Sequence, residues 1–425
     1  MKKLALATLI AGLCSTQALA EDIAIVGGYT HTMNGLGAVQ NATVLISDGR
    51  IESVTSGGEV PAGYRVIDAR DKVVTPGLIG AFTQLGLVEV GYSAGTVDAS
   101  HTLDSYSPLG AALDVSYAIN PDSSLIPISR IEGFTSAVSA MSHTNRLFHG
   151  QGAVITLGDN ANPVIKSKAL MVLAVDNDGA DDNGGSRAAL WPKLDDALAT
   201  ADSLNGDKLG PNDRWYGQFP KEDVNALIPV VQGQMPLVIE AHRASDIRQI
   251  IALKDRYSKL DLVLLEGSEA WRVADELADA DIPVILNPES NLPYAFDQLG
   301  ATLANASRLS EAGVTIAIGV ETHNIRLATQ HAGNAVSYGL PWEEGLAALT
   351  INTARIFGVD TDYGSLEAGK VADVVVWSGD PLEVMEAPEH VVINGEEVNL
   401  ESRQTKLRDR YLNLEQDKPH GYVRP

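Results

Sequence analysis

Residues 236–288 read PLVIEAHRASDIRQIIALKDRYSKLDLVLLEGSEAWRVADELADADIPVILNP. Three apolar runs, PLVIEAH, LDLVLLEGS and IPVILNP, are separated by two amphipathic stretches, SDIRQIIALKDRY and SEAWRVADELADAD. Runs this short and continuous suit strands buried on both faces, and the gaps carry helical spacing. Ser245 and Ser268 stand where N-caps of the two helices are expected. Strand, helix, strand, helix, strand is the grammar of a parallel sheet. The rhythm extends upstream through GLIGAFTQLGL, FTSAVSAM, AVITL and ALMVLAVD, and downstream to VTIAIGVETH. Eight such runs fit a (β/α)8 barrel. AVITL and ALMVLAVD leave a second arrangement open, a hairpin inserted beside the barrel.

Both ends of the chain differ from this middle. Residues 23–74 are β-branched and turn-rich, with Asp48-Gly49 between TVLIS and RIESV as a hairpin signal. ADVVVWSGDPL and HVVINGEEV repeat that texture near the other end, with Asn394-Gly395 as the turn. The expected fold class is therefore α/β. A (β/α)8 TIM-like barrel over 75–359 is joined to a small β-sandwich built from 21–74 and 360–400, and a tail follows over 401–425. Two Gly- and Asp-rich segments, 92–127 and DNDGADDNGGS at 176–186, interrupt the barrel pattern and suit loops over its active face. The second lacks the distal glutamate of a calcium-binding loop.

The first twenty residues, MKKLALATLIAGLCSTQALA, have a basic start, a short apolar run and the small-x-small ending Ala18-Leu19-Ala20. This is a signal peptide cleaved near Ala20, so the expected location is periplasmic or secreted. Cys14 raises a lipoprotein reading, against which Leu13 stands where that signal needs a small residue. Cys14 is also the single cysteine, so the processed chain has no disulfide or thiolate chemistry. A formal charge of −24 repels phosphate backbones and anionic lipid, which argues against nucleic-acid and membrane-surface partners. No later run is apolar enough to span a bilayer.

In a barrel of this kind chemistry collects at the C-terminal ends of the strands. The polar residues there are Gln84, Glu240, His242, Glu266, Asn287, Glu321, His323 and Asn324. A second group, His143, Arg146, His149 and Gln151, follows FTSAVSAM and suits either ligand recognition or loop solvation. Arg326 and His331 lie further on, the latter on a helical pattern where packing is its expected role. Glu266 beside His242 forms a possible general acid–base pair. The competing structural reading makes His242 a buried imidazole bonded to Glu240 or Glu266, and pairs Glu266 and Glu321 with Arg243 or Arg326. No Gly-x-Ser-x-Gly elbow or nucleotide-binding glycine fingerprint is present.

Three segments carry a more specific likeness: VVTPGLI entering the first barrel strand, PLVIEAHRASDIRQIIAL at the fifth, and GLPWEEGLAALTINTARIFGVDTDYGSLEAGKVADVVVWSGDPL near the end. With these the chain resembles the amidohydrolase superfamily, nearest its imidazolonepropionase-like and prolidase-like branch. The resemblance implies one or two divalent ions. Their ligands would be His-x-His on the first strand, a carboxylated lysine or glutamate on the fourth, histidines on the fifth and sixth, and an aspartate on the eighth. Here Phe82 and Gln84 replace His-x-His, His242 matches the fifth strand, and Glu266 stands for the sixth-strand histidine. Val320 or Glu321 stands for the aspartate, depending on register, and Lys166 and Lys168 are the nearest lysines for the fourth strand. The two-ion centre is therefore expected to be lost, and no metal is assigned. A single zinc or manganese ion on His242, Glu266 and Glu321, with His323 as a fourth, is the remaining metal option.

The expected activity is hydrolysis of non-peptide C–N bonds in small cyclic amides or acylated amino acids, with His242, Glu266 and Glu321 as catalytic candidates. Substrate contacts would come from Gln84, His143, His149, Arg243, Asn287, His323, Asn324 and Arg326. The alternative is a non-catalytic barrel that binds a small molecule or pairs with a catalytic relative; the resemblance also implies a possible homo-oligomer. A metal-free hydrolase or lyase using His242 and Glu266 is a third option.

Overall fold

The computed structural model describes residues 21–89, 97–101, 107–320 and 322–412. Residues 1–20, where a leader is expected, part of the 92–127 segment, Glu321 and residues 413–425 lie outside the described residues. Strands β1 (Ile23–His31), β2 (Ala38–Ser47), β3 (Arg50–Ser56), β4 (Arg65–Asp68) and β5 (Val73–Pro76) come first in the chain. Both hairpin signals act as read. Asp48 and Gly49 take φ of 51° and 76° between β2 and β3, the left-handed geometry that Asp and Gly tolerate. Asn394 and Gly395 do the same, at 53° and 79°, near the other end.

The barrel wall follows as β6 (Leu78–Thr83), β8 (Phe134–Ser139), β10 (Phe148–Thr156), β11 (Val164–Ala174), β12 (Leu237–Ala241), β13 (Leu262–Glu266), β14 (Val284–Ile285) and β15 (Ile316–Ala317). A small outlying ladder pairs β7 (Ser100–His101) with β9 (His143–Thr144). The chain then returns through β16 (Val374–Trp377), β17 (Pro388–Ile393) and β18 (Glu396–Glu397) to the first sheet, where β16 runs antiparallel to β5. The two chain ends thus share one eight-stranded sheet, in the order β18-β17-β16-β5-β1-β2-β3 with β4 beside β1.

The barrel is nearly closed, and it departs from eight repeated β/α units in one place. Strand β10 runs antiparallel to both β8 and β11. The links before and after it are too short for the crossover helix that a parallel neighbour requires. AVITL and ALMVLAVD do pair as a hairpin, but within the wall rather than beside it. Closure between the last and first strands comes from the Gly319 carbonyl, which accepts from Ala81 N at 3.0 Å and Phe82 N at 3.2 Å. Gly319 has φ of +116°, and a Cβ there would lie 3.2 Å from Ala81 N, so glycine is required at the seam.

Alternation along the strands divides two cores. On β12, Leu237, Ile239 and Ala241 face the helices while Val238 faces the barrel interior. On β11, Met171, Leu173 and Val175 face outward, and Leu170 and Val172 inward. Phe357, after the final barrel helix, joins the inner core, and its carbonyl accepts from Lys166 Nζ at 2.7 Å. Lys166 and Lys168 stand near the start of β11, the end away from the strand tips, and Lys168 lies 3.8 Å from Asp114. Neither is at the position a fourth-strand ligand needs.

The expected serine caps are not formed. The helix after β12 spans Ala244–Arg256, so Ser245 lies inside it, and the Ala244 amide donates to the Glu269 carboxylate at 3.1 Å. A carboxylate from the next βα segment replaces the local hydroxyl, and it also suits the positive helix end. The segment expected to be a loop after Asp176 begins as a short helix, Asn177–Asp182, capped by Asp176, whose carboxylate accepts from Gly179 N at 2.9 Å.

Asp373 sits at the junction of sheet and barrel. Its carbonyl accepts from Gly77 N at 2.9 Å, its Oδ1 accepts from Asn394 N at 2.9 Å, and its buried Oδ2 has no hydrogen-bond partner among the described residues. Burial raises its carboxyl to about 6. With the folded value above the unfolded one, the group's stabilising contribution is complete at low pH and lost as pH rises towards and through 6. Asp373→Asn keeps the acceptor and removes the charge. It is expected to raise stability at pH 8 by roughly 3 kcal/mol, with the gain falling below about 1 kcal/mol near pH 4. Denaturant midpoints at the two pH values measure this.

Candidate active site

The strand alternation that builds the inner core continues past the ends of β11 and β12. Counting on from Leu170 and Val172 places Asp176 on the inner side, and counting on from Val238 places Glu240 and His242 there too. Ligand-type atoms of Asp176, Glu240 and His242 all lie within 4.8 Å of one another. The turn after β11 and the end of β12 are neighbours because the two strands pair in parallel, Ala174 opposite Glu240. Glu240 also faces a cavity of about 220 Å³ at the barrel mouth, together with Phe82, Gln84, Glu266 and Thr322.

Glu266 reaches this cavity by a different device. By simple alternation it would face outward, since Val263 and Leu265 are the inner residues of β13. Its backbone instead takes φ of +70°, followed by Gly267 at +59°, and the Gly267 amide donates to the Ala241 carbonyl at 2.9 Å. A non-glycine residue held this way costs roughly 1–3 kcal/mol, and such strain clusters where function needs a side chain re-aimed.

The electrostatics follow from crowding. Burial raises the Glu240 carboxyl well above the usual carboxylate range, and the neighbouring acids Asp176 and Glu266 push it the same way. Asp176 is also raised by burial, against the stabilising amide of Gly179. Burial lowers the His242 imidazole. His242 Nδ1 lies 2.9 Å from Ser268 Oγ, so the partner expected to be Glu240 or Glu266 is a serine. Behind Asp176, Arg187 donates to Asn177 Oδ1 at 3.1 Å, Asp297 at 3.4 Å and Asp246 at 2.7 Å. One guanidinium thereby ties the Asp176 turn to two buried carboxylates.

The remaining candidates separate clearly. Gln84 lines the cavity, and its backbone amide donates to Thr322 Oγ1 at 2.9 Å. Val320 lines it as well, while Glu321 lies outside the described residues. Arg243 pairs with Asp246 at 2.8 Å, and Asn287 accepts from the Glu289 amide two residues on. His323, Asn324 and Arg326 are exposed, Arg326 donating to Asn324 at 2.9 Å. His149 is buried, and burial followed by the nearby His143 lowers it to about 4. The rings of these two histidines are 6.1 Å apart. Asp176 and Thr322 were not singled out as site residues from the sequence. Asp176 shares the inner parity of β11, a signal obscured by the Gly- and Asp-rich stretch it opens.

Comparisons with known proteins agree with this architecture. The profile of the amidohydrolase family matches residues 241–398. An amidohydrolase from Thermotoga maritima superposes with a TM-score of 0.78 at 25% identity, over 89% of this chain and 99% of its own. The chain belongs to the amidohydrolase superfamily. Among curated members of this superfamily's neighbourhood, amidohydrolase tasK of Hapsidospora irregularis is 23% identical over 83% of this chain, though the match takes in only 39% of that protein's length. A 5-methylthioadenosine/S-adenosylhomocysteine deaminase of Moorella thermoacetica is 25% identical over 80% of this chain and 81% of its own length. The imidazolonepropionase of Symbiobacterium thermophilum is 32% identical over 24% of each chain. No helix among the described residues is long and apolar enough to cross a membrane.

Superfamily membership implies bound divalent metal, and the residues can be tested against that. At the two positions where the resemblance places His-x-His, Phe82 offers no ligand atom and the Gln84 amide is a poor substitute for imidazole, and among the described residues one ligand cluster forms. A single ion does fit, because Asp176, Glu240 and His242 present two carboxylates and one imidazole at mutually close range. An oxygen-rich set of this kind suits manganese better than a thiolate or all-imidazole site would.

Proposed function

We propose that this protein hydrolyses non-peptide C–N bonds in small cyclic amides or acylated amino acids, after export and removal of a leader ending near Ala20. The convergence of Asp176, Glu240 and His242 at the barrel mouth carries this reading. These three would hold one divalent ion, which when bound supplies a hydroxide near neutral pH and polarises the scissile carbonyl. Ser268 fixes the orientation of His242 through Nδ1 and leaves Nε2 for the site. Glu266, on the same cavity wall as Glu240, is positioned to carry a proton from the attacking water to the leaving nitrogen. Phe82 gives the mouth an apolar wall, and Gln84 and Thr322 offer hydrogen bonds to an amide group.

The test is turnover of N-acetyl amino acids and five-membered cyclic amides by the full chain, with and without added manganese or zinc, alongside metal analysis. Metal-dependent hydrolysis of at least one class is the expected result. A second reading, a non-catalytic ligand-binding barrel that pairs with a catalytic relative, is favoured by Phe82 and Gln84 at the first-strand positions. Thermal stabilisation by these compounds without turnover under any metal condition would establish that second reading and overturn the first.

A further inference from the structure

The helix Arg403–Leu412 differs from the rest of the molecule in packing and in charge. Its base is fixed. Val398 and Leu400 pack against the outer core of the barrel, and Ser402 is 3% exposed. Ser402 Oγ accepts from Thr405 N at 3.2 Å, and Thr405 Oγ1 accepts from Ser402 N at 2.8 Å, a reciprocal cap. Beyond that cap no residue of the helix is buried. Ten residues make a helix about 15 Å long, and a helix this short is marginal in water without tertiary packing.

The exposed side chains form a stripe rather than a solvated polar surface. Successive helical residues turn by about 100°, so Arg403, Leu407, Arg410 and Tyr411 fall within one arc of about 100°. Leu407 and Tyr411 are 39% and 63% exposed, and both arginines are exposed. The Arg410 guanidinium lies 5.9 Å from the Tyr411 ring. Lys406 pairs with Glu401 at 3.2 Å and Arg408 with Asp409 at 2.8 Å, whereas Arg403 and Arg410 make no ion pair among the described residues. Arginine and tyrosine are the residue types that most often anchor protein interfaces, and Leu407 adds apolar surface between them. Arg403, Lys406, Arg408 and Arg410 against Asp409 give the helix a net charge of +3, in a chain of −24. The complementary surface is strongly acidic, and the remainder of this same chain has that character. Its own copy does not engage the helix, while a second copy offers the same acidic surface. One short helix covers less area than a stable interface needs. A twofold exchange, each helix laid on the other copy, doubles the contact.

We propose that this helix docks on the acidic surface of a second copy of the chain, as a reciprocal pair, through Arg403, Leu407, Arg410 and Tyr411. None of these residues lines the barrel-mouth cavity, so the contact does not depend on the catalytic reading. Sedimentation equilibrium of the full chain at about 50 μM, in about 50 mM salt where screening is weak, tests it. A dimer is expected, and its dissociation constant should rise by on the order of tenfold in about 500 mM salt. Arg403→Glu combined with Arg410→Glu sets like charges against each other and is expected to weaken association by at least about 100-fold. Tyr411→Ala is expected to weaken it by about tenfold, while Arg403→Lys with Arg410→Lys keeps most of it. None of these side chains is buried, so the variants keep the fold. A monomer under the low-salt conditions, or a dimer indifferent to salt or to the double reversal, would overturn the proposal. So would a monomer that co-sediments with phosphatidylglycerol vesicles, which would make a membrane the partner.

Discussion

Glu240→Gln is expected to lower turnover of an acylated amino acid by on the order of 100-fold or more, the usual scale for removing an acid–base or ligand group, while leaving the fold at least as stable. The two effects share one cause. Glu240 is crowded by Asp176 and Glu266, and burial raises its carboxyl well above the ordinary range. A group whose folded value is raised loses its stabilising contribution as pH rises through that value. Glutamine has the shape of the protonated form and never ionises, so the variant gains on the wild type as pH rises. Glutamine is also a poorer metal ligand than a carboxylate, so retained manganese or zinc should fall together with turnover. Activity and metal content therefore drop while the denaturant midpoint at pH 8 holds or increases, the exchange of stability for function seen where active sites concentrate like charges. Undiminished turnover in this variant would remove Glu240 from the chemistry. A lower midpoint at pH 8 would show that its charge is compensated in a way the crowding argument misses.

The parts of the fold legible in the sequence were those set by local geometry. Asp48-Gly49 and Asn394-Gly395 mark hairpins because the turn itself requires their backbone conformation. The runs at 237–241 and 262–266 mark buried parallel strands because both faces must be apolar. What escaped the reading depended on partners distant in sequence. The direction of β10 rests on the links before and after it being too short for a helix, and apolar content alone is the same for either direction. The cap on Ala244–Arg256 comes from Glu269, on the following βα segment, so the nearby Ser245 pointed to the wrong group. In the site, Gln84, Glu240 and Glu266 were visible as polar strand ends. Asp176 was hidden because its turn has the composition of a solvated loop, although its place in the alternation of β11 puts it inside. Glu266 presents the opposite case. It was found as a polar strand end, yet alternation alone would turn it outward, and only the left-handed backbone at that position brings it into the cavity.

Arg187→Met should be the most destabilising single change near the site, because one side chain serves several buried acceptors. Arg187 is 18% exposed, and the carboxylates it contacts, Asp246 and Asp297, are 3% and 4% exposed. Asp246 would keep Arg243 as a partner at 2.8 Å, but Asp297 would be left with the Asn177 amide at 3.2 Å, its Oδ1 already lacking a partner. Removing one member of a buried ionic set strands the others, at a cost of about 3–5 kcal/mol. Lysine cannot substitute, since one ammonium lacks the planar fork that reaches Asn177, Asp246 and Asp297 together. If stranded charge is the cause, Asp297→Asn in the Arg187→Met background should recover a large part of the loss, whereas the two changes would simply add if the sites were independent. The turn at Asp176 is held through Asn177, so the single variant should also weaken metal retention before global unfolding begins. Chemical denaturation of both variants, with metal content followed along the same titration, separates these effects. A midpoint unchanged by Arg187→Met would mean that Asp246 and Asp297 find other partners, and that the Asp176 turn is positioned by its own helix cap alone.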